Sequence, residues 1–193
     1  MRVTAVSLLV VLVAVTPGCE VDTTPVAVLD LPSTEIHGRL WLRSQAEVDA
    51  LLGVRTVVGD LRVSGDEIVD LTGLSTLRHV TGRLTLSRCR ALPDLSPLRH
   101  LRQVGTLTIE NCDSLRSLDG LQDLRRCAAL ELAGCDGLPA LPRFSFLSGL
   151  ERCELRFMRG LTDISGLAAA DSLTVLRVRN VGDVADLSFI GGL

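Results

Sequence analysis

The chain has 193 residues, enough for one domain with its own hydrophobic core, and 47% of them are apolar, which excludes a disordered chain. The formal net charge is −3 and no stretch of sequence is strongly basic, so the charge pattern of a nucleic-acid-binding protein is absent. Aromatic residues are only 3% of the chain, which leaves few of the side chains that usually anchor interfaces and sugar sites.

The first eighteen residues predict an export signal. Arg2 supplies a positive charge, and residues 5–15 form an apolar run broken by a single serine. This run has the length of a signal-peptide core and is too short to span a bilayer. Gly18 and Cys19 follow it, and the segment resembles the lipobox of bacterial lipoproteins, which implies removal of residues 1–18 and lipidation of Cys19. Cleavage near Ala14, which would give a secreted or periplasmic protein, and retention of the segment as an anchor are the alternatives.

Residues 19–37 are polar and contain two prolines, so they are predicted to be a tether between the anchor and a folded domain. The expected location is the outer membrane or cell surface, with the membrane reached through the lipid on Cys19.

A repeat of about 23 residues fills residues 38–193, the predicted domain. Its pattern is Gly-x-Leu-x-apolar, with leading leucines at Leu40, Leu61, Leu84, Leu107, Leu130, Leu155 and Leu176. The alternation places both apolar side chains of each pattern on one face of a short strand. Because each repeat returns the strand in the same direction, a parallel sheet along a coil is predicted, with each coil burying its leucines against its neighbours.

Each repeat also contains a short turn segment. Residue types typical of helix N-caps precede leucines spaced three apart, at Thr72, Ser96, Asp119, Ser165 and Ser188. That leucine spacing suits a single 3-10 or α turn. The predicted fold class is therefore an α/β repeat solenoid, right-handed, with about seven coils, each made of one short parallel strand and one short helical or 3-10 turn.

The first repeat predicts a capping helix at about residues 44–52. The sequence Ser-Gln-Ala-Glu at residues 44–47 is a capping box, and Val48, Leu51 and Leu52 share one helical face. Such a helix would cover the leucines of the terminal coil.

The repeats resemble leucine-rich repeats and, within that broad group, the receptor L domain of growth-factor receptors and of many bacterial surface proteins. The resemblance is carried by Gly59-Asp-Leu-Arg-Val, Gly82-Arg-Leu-Thr-Leu and Gly105-Thr-Leu-Thr-Ile, while Asp94-Leu-Ser-Pro-Leu and Asp163-Ile-Ser-Gly-Leu resemble the internalin type. It covers roughly residues 38–193. The resemblance implies a solenoid, and it implies no particular ligand because such solenoids serve many partners.

Cys89, Cys112 and Cys135 are 23 residues apart and therefore occupy one position in three successive coils. Because stacked strands lie about 4.8 Å apart, a structural ladder of buried thiols is expected, with an oxidised pair or a metal or redox site as alternatives. Cys127 and Cys153 are predicted to fill the core together at the end of a coil. No cysteine pair has the spacing of a zinc site, so no metal and no cofactor are expected.

Histidines and recurrent aspartates are assigned no catalytic role. The histidines lie on the tether or the outer turns without a nucleophile motif, at His37, His79 and His100. The aspartates that precede a leucine or isoleucine are predicted to make turn and cap hydrogen bonds rather than to bind calcium, at Asp70, Asp94, Asp163 and Asp186.

The outward residues of the strands form the candidate binding face. They are predicted to be Arg62, Thr85, Thr108, Glu131, Arg156 and Arg177, with Arg179 beside them. The basic end of this face is expected to meet an acidic partner, and a merely solvated sheet is the alternative. Phe157 is expected to point inward, which leaves no aromatic on the face and argues against tight sugar binding.

These features predict a recognition or adhesion module that binds a protein partner and is not an enzyme. A solenoid hydrolase would need acidic residues or histidines clustered on adjacent strands, and the predicted face lacks such a cluster. The alternative is a structural envelope protein or a self-assembling solenoid. Residues 191–193 carry no recognisable cap, so self-association through the C-terminal end is also expected.

Overall fold

The computed structural model of the chain describes residues 34–141 and 149–184. These residues form one nine-stranded sheet whose strand pairs are parallel. The strands are β1 (Glu35–His37), β2 (Leu40–Leu42), β3 (Thr56–Val58), β4 (Leu61–Ser64), β5 (His79–Ser87), β6 (Gln103–Glu110), β7 (Arg126–Ala133), β8 (Arg152–Met158) and β9 (Val175–Val181). The helical segments are short: α1 (Gln45–Asp49) and 3-10 helices at Thr72–Leu74, Ser96–His100 and Ser165–Ala169.

The predicted parallel sheet with short helical or 3-10 turns is therefore confirmed, and it is compatible with an α/β fold. Several predicted features lie outside the described residues: the export signal at residues 1–18, Cys19, Ser188 and residues 191–193. The structured part begins before residue 38, because Glu35–His37 pairs with β3 instead of belonging to the tether. No helix in the described ranges has the length and apolar character needed to cross a membrane.

The strands follow one another across the sheet in chain order from β5 to β9. Before β5 each repeat has two short strands, so β3 pairs with the first half of β5 and β4 with its second half. Glycines lie at this break because neighbouring backbones approach closely there. Gly59 has a φ of 140°, and a Cβ at this position would overlap the carbonyl oxygen of Gly38. Gly82 lies one repeat further on, and its N–H donates to the Gly59 carbonyl at 2.9 Å.

The register from β7 to β9 differs from the prediction. Cys153, not Leu155, pairs with Leu130, and Leu155 pairs with Leu132. The prediction of Leu155 was wrong because a cysteine, Cys153, occupies the position of the leading leucine in this repeat. Successive leading positions from β4 to β9 are consequently 23 residues apart throughout.

The core is built from the inward residues of the strands and the leucines of the turn segments. Leu84, Leu107 and Leu130 are at most 1% exposed, as are the paired leucines of the turns, such as Leu98 and Leu101. The described part of the chain thus forms one continuous apolar core along the sheet.

Helix α1 has the predicted capping box, in which Ser44 accepts a hydrogen bond from the Glu47 N–H and the Glu47 carboxylate accepts one from the Ser44 N–H. The helix is shorter than expected, with its C-cap at Ala50. Val48 is buried against the core, whereas Leu52 lies beyond the helix and is exposed, so it is not part of the predicted apolar face.

Three turn segments are capped by the aspartates and not by the hydroxyl residues that follow them, whereas in the repeat of β6 the predicted cap Asp119 instead donates its N–H to Ser117 Oγ at 2.9 Å. Asp94 Oδ1 accepts hydrogen bonds from the Ser96 N–H at 2.8 Å and from its hydroxyl at 2.6 Å, and Asp163 accepts one from the Ser165 N–H at 2.8 Å. The 3-10 helices have no side-chain bond from their own N-cap residues, Leu71, Leu95 and Ile164. Asp186 lies outside the described residues.

Candidate functional site

The candidate site is the outward face of the sheet, called here the sheet face. It consists of two columns of residues set by the strand register. The first column is Trp41, Arg62, Thr85, Thr108, Glu131, Glu154 and Arg177. The second column is Ser64, Ser87, Glu110, Ala133, Arg156 and Arg179, and Arg43 extends it beside β2.

The N-terminal end of the sheet face carries a tryptophan between two arginines. Trp41 is 46% exposed. The guanidinium carbon of Arg43 lies 3.6 Å from the centroid of the indole ring, and that of Arg62 lies 5.2 Å from it. Both distances are within the range of cation–π attraction. Arg43 and Arg62 form no ion pair within the described residues, so their N–H groups are available to an anionic group of a ligand.

Sequence reasoning missed Trp41. The face was predicted to begin at Arg62, although Trp41 is the middle residue of Leu40-Trp41-Leu42 and occupies the same outward position one strand earlier. The alternation rule that identified Arg62 would have identified it.

In the middle of the sheet face, the polar side chains contact one another. Glu131 Oε2 accepts a hydrogen bond from the Thr108 hydroxyl at 3.1 Å and lies 3.2 Å from Nη1 of Arg83. Arg83 is on β5 and Glu131 on β7, so this ion pair crosses β6, the strand that carries Thr108. Thr108 is consequently 2% exposed, and it does not present its side chain to a partner as predicted.

A second ion pair lies beside the first, on β8. Arg156 Nε is 3.6 Å from Glu154 Oε1, and this nitrogen is buried without a hydrogen bond. Arg156 was predicted to follow Glu131 in the first column, but Glu154 has that position and Arg156 pairs with Ala133 and Arg179. Since Glu154 neutralises it, Arg156 does not contribute a free positive charge to the face.

The C-terminal end of the face also carries unpaired positive charges. Arg177 and Arg179 are both exposed on β9, and neither forms an ion pair in the part of the chain that the structure describes. The predicted basic end therefore consists of two arginines instead of three.

Phe157 lies at the border of the sheet face and does not point inward. It is 58% exposed, because the register places it in the turn position after each outward column. This position has a positive φ in five successive repeats, at Arg88, Asn111, Gly134, Phe157 and Asn180. Asparagine and glycine tolerate this left-handed conformation, whereas a bulky side chain is strained in it. An exposed phenylalanine here contributes little to the core and is available for contact.

The three stacked cysteines lie under the same turns. Each thiol lies near two carbonyl oxygens, one two residues earlier and one in the preceding repeat: for Cys112 these are Glu110 at 3.5 Å and Leu86 at 3.9 Å. Cys89, Cys112 and Cys135 are fully buried and not disulfide-bonded. Contacts with Cys135 and Cys89, together with burial, raise the pKa of the Cys112 thiol.

The remaining two cysteines occupy separate positions. Cys127 pairs with Val104, whereas Cys153 occupies the leucine position opposite Leu130, so they do not share one place at the end of a coil as predicted. Burial raises the pKa of Cys127 to about 11 and that of Cys153 to about 12. Both thiols are therefore neutral and unreactive at neutral pH.

No cluster that could hold a metal ion exists among the described residues. Of the three histidines, His37 contacts Glu35 at 3.0 Å on the exposed strand β1, and His100 accepts a hydrogen bond from its neighbour Arg99 at 3.3 Å. A search against protein-family models and a search of curated protein sequences find no match to this chain.

Proposed function

We propose that the chain is an exported recognition module, anchored by a lipid on Cys19, that presents the sheet face to a protein partner. In this proposal residues 38–193 form a right-handed solenoid of about seven coils, similar to leucine-rich repeats and the receptor L domain of bacterial surface proteins. The module binds and does not catalyse, and it needs no cofactor.

The observation that carries the proposal is the pair of exposed aromatic residues at opposite ends of an otherwise polar face. Tryptophan and arginine are the residue types most enriched at energetic centres of protein interfaces, and Trp41 is stacked with Arg43. Phe157 remains exposed at a position where its backbone is strained. Strained residues that are not required by packing are often found at functional sites.

The order of charges along the face indicates the partner. Unpaired arginines lie at both ends, Arg43 and Arg62 at one and Arg177 and Arg179 at the other. In the middle, Glu131 and Glu154 are engaged in ion pairs, and Glu110 is the one acidic residue of the two columns without one among the described residues. A complementary surface would carry acidic groups at its two ends and neutral or basic groups between them. With six strand steps of about 4.8 Å, the two ends are roughly 29 Å apart, which suits a protein surface better than a small molecule.

The test is photo-crosslinking in cells with a reactive residue at Arg62, at Arg177 and, as a control, at the exposed Arg116 away from the face. One protein partner captured at both face positions, and not at Arg116, supports the proposal. In the same cells, the double variant Arg62→Glu with Arg177→Glu should lose the partner. Retention of that partner, or equal capture at all three positions, would refute it.

A second candidate function, self-assembly, is favoured by the last described strand. Val178 on β9 is 37% exposed, whereas Leu155, which pairs with it on β8, is fully buried. An additional strand from another copy would cover this edge. Capture of the protein by itself at Arg177, together with concentration-dependent association in light scattering, would favour self-assembly over recognition of a foreign partner.

A further inference from the structure

Four arginines lie in a row along one edge of the sheet, outside the sheet face. They are Arg55, Arg78, Arg102 and Arg125, each placed directly before the strand of its repeat; together they are called here the arginine row. The register stacks them, because the N–H of each donates to the carbonyl of the one before, at 2.8 Å for Arg78 on Arg55, 2.8 Å for Arg102 on Arg78 and 2.9 Å for Arg125 on Arg102.

The arginine row is exposed, and its first three members form no ion pair within the described residues. All four residues are exposed. Arg55, Arg78 and Arg102 form no ion pair in the described ranges, like the arginines at the two ends of the sheet face, whereas Arg39 and Arg90 face carboxylates. Asp123 is the one carboxylate within two residues of the row in sequence. Like charges directly opposite each other on adjacent strands are destabilising, so the fold itself does not require this arrangement.

The geometry of the row defines the ligand that would fit it. Neighbouring positions are about 4.8 Å apart, so the guanidinium groups of Arg55, Arg78 and Arg102 span roughly 10 Å along the stacking direction. Each group offers a planar set of N–H donors suited to bidentate binding of carboxylates. The row is narrow, because the residues before it, such as Leu77 and Leu101, are buried. The residues after it are half-buried at 56, 79 and 103, and only Arg126 is exposed. A narrow line of charge fits an extended chain better than a membrane surface, which would need positive charge spread over a plane.

We propose that the arginine row binds a linear polysaccharide that carries an acidic group on successive sugars. The polymer lies along the stacking direction, and its carboxylates face successive guanidinium groups. Recognition depends on the acidic groups and not on aromatic stacking against the sugar rings, so the shortage of aromatic residues does not oppose it. The arginine row lies off the sheet face, and binding there is independent of the protein partner proposed above.

The test compares the full-length protein with two double variants of equal net charge. In Arg78→Glu with Arg102→Glu the row is reversed, and in Arg116→Glu with Arg159→Glu two exposed arginines away from the row are reversed. Each change moves the formal net charge from −3 to −7, since each substitution contributes −2. Binding is measured with immobilised polygalacturonate over a series of NaCl concentrations, with neutral dextran as the control polymer.

The wild-type protein should bind polygalacturonate and not dextran, with an affinity that falls as salt rises. The row variant should bind at least about tenfold more weakly, whereas the control variant should stay within about threefold of wild type. Equal losses in the two variants would show that only net charge matters and would overturn the proposal. Absence of wild-type binding at low salt, or binding to phosphatidylglycerol vesicles without binding to polygalacturonate, would also overturn it.

A stability measurement separates loss of the site from loss of the fold. Arg102 lies between two other arginines, so Arg102→Gln should leave the thermal unfolding temperature unchanged or raise it in low salt, and the difference should shrink as salt screens the repulsion. The same variant should show weakened polygalacturonate binding. A clear drop in its unfolding temperature would mean that Arg102 has a stabilising structural role, and it would refute the proposal.

Discussion

Replacing Phe157 tests whether the strain of its backbone outweighs the stabilisation from burial of its side chain. Its φ is 53°, and its side chain is 58% exposed. A left-handed backbone costs a residue with a Cβ about 1–2 kcal/mol. Complete burial of a phenylalanine stabilises by at most about 3 kcal/mol, so the buried two fifths contribute about 1 kcal/mol. The two terms nearly cancel, and Phe157→Gly should change the free energy of unfolding by less than about 1 kcal/mol.

The comparison between Phe157→Gly and Phe157→Ala isolates the backbone term, because both variants lose the ring and only glycine relieves the strain. Phe157→Gly should be the more stable of the two by about 1 kcal/mol in urea unfolding. At Ala46, inside α1, the same exchange to glycine should instead destabilise by about 1 kcal/mol. If Phe157→Ala were as stable as Phe157→Gly, position 157 would not be held in the left-handed region and the argument that its strain marks a binding residue would fail.

Three further predictions concern the glycine break, the buried thiols and the turn caps. Gly59→Ala should lower the free energy of unfolding by about 3 kcal/mol, because its Cβ meets backbone. Gly53→Ala, which also has a positive φ (101°) but faces open space, should cost about 1 kcal/mol, and equal costs in urea unfolding would contradict the crowding at Gly59. Burial raises the pKa of Cys127 from 9.0 to about 11, so the folded state keeps a proton that the unfolded chain releases, and stability falls as pH rises between these values. Cys127→Val, which places at 127 the residue type of its partner Val104, should remove about 1 kcal/mol of the loss between pH 9 and pH 10, and an unchanged pH profile would contradict it. Hydrogen bonds from Ser96 lower the pKa of Asp94, so Ser96→Ala should raise that pKa toward its ordinary value of 3.8 in an NMR titration, and no change would show that the hydroxyl is not the cause.

The strand positions were predictable from sequence wherever leucine marked them. Leu61, Leu84, Leu107 and Leu130 stand at equivalent places in the sheet. The alternation of apolar and polar residues is enough to predict this, because it decides which face of a strand is buried. The prediction failed at β8, where Cys153 occupies the position that leucine has in the other repeats. Leu155, two residues later, has the same apolar alternation and was therefore assigned to that position.

The candidate site was predicted less well than the sheet, since exposure depends on contacts between repeats. Thr108 has the sequence pattern of an outward residue, yet the ion pair between Arg83 and Glu131 covers it. An ion pair between residues 48 positions apart produces no recurring pattern in the sequence by which it could be predicted. The left-handed φ of Phe157 was equally hidden, because a phenylalanine two residues after a leucine is typical of an inward strand position.

The arginine row was also invisible to a search for basic stretches, because its members are 23 or 24 residues apart. In a sheet of regular repeats, any residue type that recurs at one position becomes a continuous line in space. Three such lines in this protein have a structural reason: the glycines around Gly59 permit close backbone approach, the thiols around Cys112 fill buried turns, and asparagine and glycine suit the left-handed position. The arginine row and Phe157 have no such reason. Both oppose the local preference of the fold, and these are therefore the positions at which binding to another molecule is the better explanation for the residue present.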